Sequence, residues 1–320
     1  MGSPQEVVAP LQQLLAADGD FNVIAVVSQP ARPVGRSGKL QDPPLAEFSK
    51  AKGLLTLQPE SARDPEFLDQ LGGLNVDVIV TAAYGQILSK KFLAIPKRAT
   101  INIHPSLLPK YRGATPVPAA LLEGESTTGV SVLFTVKALD AGAIICAGES
   151  PIAPDETAGT LTQRMFDFSG PLLIQALERL RDPNFVGQPQ DDRAATYCSK
   201  IEKSDGAVDW ALPADVNLNR YRAFQPWPGL FTFFNGKRVG LLEVRQASAA
   251  DLANGAGSGG QSLLAGAFVF SKPAKAILVR CSDGFLAVTK LQSEGGKPVD
   301  AAAFWNGIKD RSDCRFAAGG

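Results

Sequence analysis

A chain of 320 residues, 45% hydrophobic and 20% charged, is long enough for a sizeable core and for about two domains. Its formal net charge is zero, so overall electrostatics does not advertise a nucleic-acid partner, and no apolar run approaches the roughly 20 residues of a membrane span. No secretory or transit pattern opens the chain, and Cys146, Cys198, Cys281 and Cys314 fit no metal-ligand spacing. A cytoplasmic protein with reduced thiols, no metal site and no membrane contact is expected. There is a single histidine, His104, so any imidazole chemistry must use it and any site built on two histidines is excluded.

In chain order, the amphipathic stretch Glu6–Ala17 predicts a helix, and Val23–Val27, nearly continuous and β-branched, a buried parallel strand. Leu45–Lys52 and Pro65–Leu71 predict two further helices. Val78–Ala82 repeats the buried-strand pattern, and Thr100–Ile103 and Gly129–Phe134 read the same way less cleanly. Strand and helix in alternation argue for a doubly wound, mostly parallel α/β sheet, whose functional residues should lie just after strands. Thr157–Leu180 predicts a long helix, opened by Asp155 or Thr157 and stopped at Asp182-Pro183. The Pro/Gly-bearing polar segment that follows predicts a linker at 182–195, which separates a domain over 1–181 from one over 196–320.

Beyond the linker the pattern changes. Phe231–Phe234, Val239–Val244, Ala267–Phe270, Ala276–Val279 and Phe285–Leu291 predict short strands, with turns at Asn235-Gly236 and Asp283-Gly284. They suit a small C-terminal β-barrel, OB-like. Asn254–Gly260 reads as a loop inside it rather than a phosphate cradle, since no Lys-Ser/Thr and no helix follow. From Gln190 onward there are 16 Lys/Arg against 13 Asp/Glu, a lean that permits a basic face without establishing one.

The chemistry concentrates at residues 102–113, NIHPSLLPKYRG. Asn102 and His104 alternate at a strand end, so their side chains point the same way. An amide donor beside an imidazole suits a carbonyl oxygen that becomes an oxyanion. Asp140, in the turn Leu139–Gly142, supplies a carboxylate that could orient the imidazole and favour its protonated form. Each residue also has a plain structural reading: a hydrogen-bonded His, an Asp before Gly in a turn, an Asn in an Asx-turn. A Ser106–His104–Asp triad is a rival without a Gly-x-Ser-x-Gly elbow, and no Gly-x-Gly-x-x-Gly supports a dinucleotide site.

Asn102-x-His104, Ser106-Leu107-Leu108-Pro109 and Asp140 thirty-six residues after the histidine together resemble the core of the folate-dependent formyltransferases. Gln29-Pro30-x-Arg32-Pro33-x-Gly35-Arg36, the extension Tyr111-Arg112-Gly113-Ala114-Thr115-Pro116, Ile201–Trp210 and Arg222–Gly229 are similar to segments of the methionyl-tRNA formyltransferase family, and the resemblance runs over nearly the whole chain. It implies transfer of a formyl group from 10-formyltetrahydrofolate to the α-amine of initiator methionyl-tRNA. In that reading Asn102 and His104 stabilise the oxyanion, and Asp140 orients and charges His104 and helps deprotonate the amine. The resemblance further implies a folate pocket from Tyr84, Gly85, Ile87 and Leu88 with Ser106, Leu107, Leu108 and Pro109. It implies tRNA contact by Arg32, Arg36 and Lys39, no metal, and a monomer. The alternatives are a formyltransferase for a sugar-nucleotide amine, an inactive tRNA- or folate-binding homologue and, more distantly, an oxidoreductase of similar fold.

One departure matters. Where the family carries an apolar strand before its Gly-Ser/Thr-Pro turn, Met1 sits directly against Gly2-Ser3-Pro4. The expectation is a sheet lacking its central first strand, with a slot between its neighbours, and either a natural chain longer by about eight to ten residues or a chain short as made and therefore unstable or inactive.

Overall fold

The computed structural model describes residues 1–17, 21–35, 38–253 and 263–317. These form two compact units. One comprises Met1–Val117, Ser126–Ile152 and Thr160–Ser199, and the other Pro118–Glu125, Ala153–Gly159 and the residues from Lys200 onward. Arg36 and the loop Asn254–Gly260 lie outside the described residues.

The first unit is α/β. Its strands are β1 (Val26–Val27), β2 (Arg32–Val34), β3 (Lys39–Gln41), β4 (Thr56–Leu57), β5 (Val78–Thr81), β6 (Ala99–His104), β7 (Arg112–Gly113), β8 (Thr127–Phe134), β9 (Ile144–Pro151) and β10 (Tyr197–Cys198). β1 and β4 pair in parallel, as do β5 and β6, and β2–β3 is an antiparallel hairpin. The main sheet runs β5-β6-β8-β9. The segment Gly129–Phe134, expected to be parallel, instead lies in β8, antiparallel to β6. Its residues are buried on both faces, Val130, Val132 and Leu133 alike, and a strand covered on both sides looks the same in sequence whichever way it runs.

The helices fall where the apolar period placed them. Pro65–Gly73 starts at Asp64, whose carboxylate accepts from the Glu66 N–H, with Pro65 at the first helical position, and it turns Phe67 and Leu71 inward. Pro44–Ala51 buries Leu45 and Ala46, and Ala158–Arg179 runs for 22 residues with Leu161, Met165, Leu173 and Ala176 buried. No helix among the described residues is long and apolar enough to cross a membrane.

Between Val23–Val27 and Val76–Val80 lies the expected slot, a cavity of about 600 Å³ also lined by Leu173, Leu177 and Leu180. Met1 stands at its mouth and ties both walls together. Its amine donates to Val80 O at 2.6 Å, its carbonyl accepts from Ala82 N at 2.9 Å, and Gly2 N donates to Val27 O at 3.0 Å. Burial of that amine pulls its pKa from 8.0 to about 5. Val23–Ala25, expected to continue the first strand, line the slot, and only Val26 and Val27 keep ladder partners.

The second unit is an antiparallel sheet: β11 (Leu230–Phe234), β12 (Lys237–Gln246), β13 (Phe268–Ser271), β14 (Ala276–Arg280), β15 (Phe285–Ser293) and β16 (Val299–Asp300). The order is β11-β12-β15-β14-β13, with β16 on β15. The turn between β11 and β12 is Asn235-Gly236, with φ of 49° and 74°, the left-handed pair that a tight two-residue hairpin demands. Residues 314–317 then close the sheet on itself. On one side Phe268 N donates to Cys314 O and Phe316 N to Gly266 O. On the other, Phe233 and Ala317 exchange backbone bonds. The interior is aromatic: Phe316 stacks on Phe268 at 4.3 Å between ring centroids and on Trp210 at 5.9 Å. The buried Trp210 indole N–H is satisfied by Thr232 Oγ1.

Candidate active site

The site is built at the end of β6. Asn102 and His104 occupy alternate positions on it, opposite Leu133 and Ser131 of β8, so both side chains project from one face. On the other flank β5 places Thr81 beside Asn102. The Thr81 hydroxyl meets Ile101 O at 3.0 Å and Asn102 Oδ1 at 2.9 Å. That contact orients the amide with its Nδ2 donors outward, and these have no protein partner among the described residues. Thr81 drew no attention in the sequence. Its signal was positional, the last residue of the strand that runs parallel to β6.

His104 is buried, 4% exposed. Its Nε2 lies 2.9 Å from Tyr111 O, and because a carbonyl only accepts, the proton sits on Nε2. Nδ1 faces Asp140 Oδ2 at 3.6 Å, an ion-pair distance too long for a hydrogen bond. Burial pulls the imidazole below its ordinary value of 6.5, and the Asp140 charge and the Tyr111 carbonyl raise it by less. The sequence suggested an imidazole charged by its carboxylate. Asp140 acts in that direction, but desolvation outweighs it, so the ring is neutral at pH 7 with Nδ1 vacant.

Asp140 has φ of 47°, in the left-handed region, and its Oδ2 accepts from Gly113 N at 2.9 Å. Gly113 is required where it stands: φ is 129°, and any Cβ would overlap Cys198 O. The segment Gln188–Cys198, of which the residues up to Ala195 read from composition as linker and the rest as the start of the second domain, is bonded into this wall. Gln188 exchanges two bonds with Ile144, Arg112 N donates to Thr196 O, and Tyr197–Cys198 pair in parallel with Arg112–Gly113.

The remaining expected residues are placed as follows. Ser106 is fully buried, and its hydroxyl donates to Lys110 O at 2.8 Å and not to His104, which removes the triad reading. Ser131 Oγ accepts from Leu108 N and donates to Ser106 O, so Ser106, Leu107, Leu108 and Pro109 form a braced turn. Tyr84 is buried, its hydroxyl has no hydrogen-bond partner among the described residues, and burial pushes its pKa up to about 12. Gly85 has φ of 79°, Leu88 packs against the Tyr84 cluster, and Ile87 is 75% exposed. On the β2–β3 hairpin Arg32 is exposed and paired with Glu60 at 3.0 Å, and Lys39 is exposed with no ion-pair partner among the described residues. All four cysteines are free.

A strand-end amide, a buried neutral imidazole and a carboxylate on an α/β sheet define a class once set beside known proteins. Residues 1–177 match the formyl transferase family, and residues 200–309 match the formyl transferase C-terminal domain. Proteins named methionyl-tRNA formyltransferase from Ruminiclostridium cellulolyticum and Citrifermentans bemidjiense are each 37% identical over 309 residues, covering 97% of this chain and 96% and 92% of theirs. The chain therefore belongs to the methionyl-tRNA formyltransferase family, and it is a formyl-transferring enzyme. The structure of an N-formyltransferase from Helicobacter canadensis, in complex with folinic acid and dTDP-3-aminofucose, shares the fold. Its TM-score is 0.62 and its identity 17%, over 90% of this chain and 96% of that one.

Proposed function

We propose that this enzyme transfers the formyl group of 10-formyltetrahydrofolate to the α-amine of initiator methionyl-tRNA, for translation initiation, with Asn102, His104 and Asp140 as its chemical centre. The observation that carries this reading is the pairing of an outward amide donor with an imidazole whose Nε2 is taken by a carbonyl and whose Nδ1 faces a carboxylate. The free amine attacks the formyl carbon, and Asn102 Nδ2 donates to the oxygen that becomes negative. The new C–N bond leaves a proton on the attacking nitrogen. His104 Nδ1 takes it, and Asp140 stabilises the imidazolium that results. The same proton then passes to the folate nitrogen as the old C–N bond breaks, which returns His104 to its neutral state. Once protonated, Nδ1 is also a second donor toward the oxyanion.

Tyr84, Gly85, Ile87 and Leu88, with the braced turn Ser106–Pro109, shape the folate pocket in this reading. Ser106 serves through the turn, since its hydroxyl is spent on Lys110. Arg32, Arg36 and Lys39 meet tRNA phosphates. The sugar-nucleotide alternative has less behind it: the likeness to structures of that class stands at 17–18% identity, against 37% for relatives named for methionyl-tRNA.

The test is transfer of radiolabelled formyl from 10-formyltetrahydrofolate to charged initiator tRNA, with His104→Ala beside the wild type. Transfer by the wild type and its loss in the variant is the expected result. No transfer by the wild type refutes the reading. Transfer retained by His104→Ala refutes the roles given to the imidazole.

A further inference from the structure

Asp140, whose carboxylate faces His104 Nδ1, is a non-glycine residue in a left-handed conformation, which persists only where its surroundings impose it. The imposing contact comes from far along the chain. The Gln190 Nε2 amide donates to Asp140 O at 2.8 Å and to Gly142 O at 2.7 Å, gripping both ends of the turn. Its Oε1 accepts from Arg112 Nε at 3.1 Å and Nη2 at 2.8 Å. Both amide hydrogens and both lone pairs of Gln190 are thus used. Arg112 is itself 2% exposed and is held by Asp192 Oδ1 at 2.7 Å. The next residue, Gly113, donates to the Asp140 carboxylate. The bonds close a circuit: Asp140 carboxylate, Gly113 N–H, Arg112 side chain, Gln190 amide, Asp140 carbonyl.

We propose that Gln190 is a positioning residue of the catalytic centre, which holds the Asp140 turn so that its carboxylate faces His104 Nδ1. The inference rests on the formyl-transfer reading for its kinetic consequence and not for its geometric one. The donors are the decisive part, because only they touch the Asp140 turn, and the acceptor side serves Arg112. Without them the left-handed turn relaxes and Oδ2 moves from a position already 3.6 Å from the ring. The other groups around the imidazole stay in place. Tyr111 O remains on Nε2, and burial keeps the nearby Cys198 thiol above its ordinary pKa, protonated at neutral pH.

His104 is the sole histidine, so its ring signals in an NMR titration of the intact protein are unambiguous. Gln190→Met keeps the length and removes donors and acceptors together. Its expected effects are a His104 midpoint lower by about one pH unit, since an opposite charge has moved away, and a kcat about 10²-fold lower with KM for both substrates within about threefold. Gln190→Glu keeps the acceptors toward Arg112 and removes the donors, and its kcat should fall as far. If Gln190→Glu matches the wild type in kcat, the residue serves only Arg112 and the proposal is overturned. An unmoved His104 midpoint in a folded Gln190→Met protein overturns it equally. If Gln190→Met does not fold, the kcat of Gln190→Glu decides alone. If the midpoint moves but the wild type transfers no formyl group, positioning of Asp140 stands and the proposed reaction falls.

Discussion

The Met1 amine offers the sharpest thermodynamic test of the slot beside it. In the unfolded chain it binds a proton below pH 8.0, and in the folded chain only below about 5. Between those values the unfolded state holds one more proton, so stability rises with pH and is lost as pH falls. One proton contributes about 1.36 kcal/mol per pH unit, and across the roughly three units between the two pKa values the loss reaches about 4 kcal/mol. That is a large fraction of the ~5–15 kcal/mol that holds a typical domain together. The Met1 residue is partly exposed, but its amine is buried beside the slot, where the hydrogen bond to Val80 O replaces only part of the hydration it loses. His104, also held below its ordinary value, adds stability in the same direction over part of that range, so a bare pH series is ambiguous. The discriminating comparison is denaturant unfolding from pH 5.5 to 8.5 for the chain with a free Met1 amine, verified by mass, and for the same chain acetylated there. Acetylation removes the charge and places a small apolar group toward the slot. The free chain should lose about 3–4 kcal/mol more than the acetylated one across the series. Equal pH dependence of the two would refute the buried-amine argument and mean that the slot admits water freely.

Three further outcomes follow from the site. Asn102→Ala should lower kcat by about 10²–10³-fold with KM for the folate substrate little changed, measured by steady-state formyl transfer; a pure KM effect would move Asn102 from the oxyanion to ground-state binding. The acid limb of kcat/KM should lie below pH 6.5, because a base must be unprotonated and burial holds His104 down; in Asp140→Asn the limb should move lower still as the rate falls, and a limb that rises contradicts the assigned electrostatics. Lys39→Ala should weaken tRNA use more than Arg32→Ala, whose charge already faces Glu60, and should reduce the slope of log affinity against log salt by about one; the reverse order would remove the hairpin from the tRNA contact.

Much of the candidate site's geometry was legible. Asn102 and His104 could be paired because strand alternation has period two, and one histidine in the chain left no competitor. The helices Pro44–Ala51 and Pro65–Gly73 followed from apolar spacing and a proline at their first turns. The Asn235-Gly236 hairpin followed from the one dihedral combination those residues adopt cheaply. What escaped was of two kinds. The direction of β8 left no mark on its composition. Gln190 and Asp192 sit in a polar, proline-bearing stretch that reads as a spacer, because their value lies in partners 48 to 80 residues away.

The sequence by itself determined which groups could do chemistry, since composition and strand period are local properties written directly in the order of residues. Only the tertiary structure decided their state. It set the imidazole neutral, because desolvation depends on everything packed around a ring and here outweighs the one carboxylate beside it. It also set Asp140 in a left-handed turn clamped from a distant segment, because a single amide can satisfy two carbonyls only when folding has brought them within reach of one another.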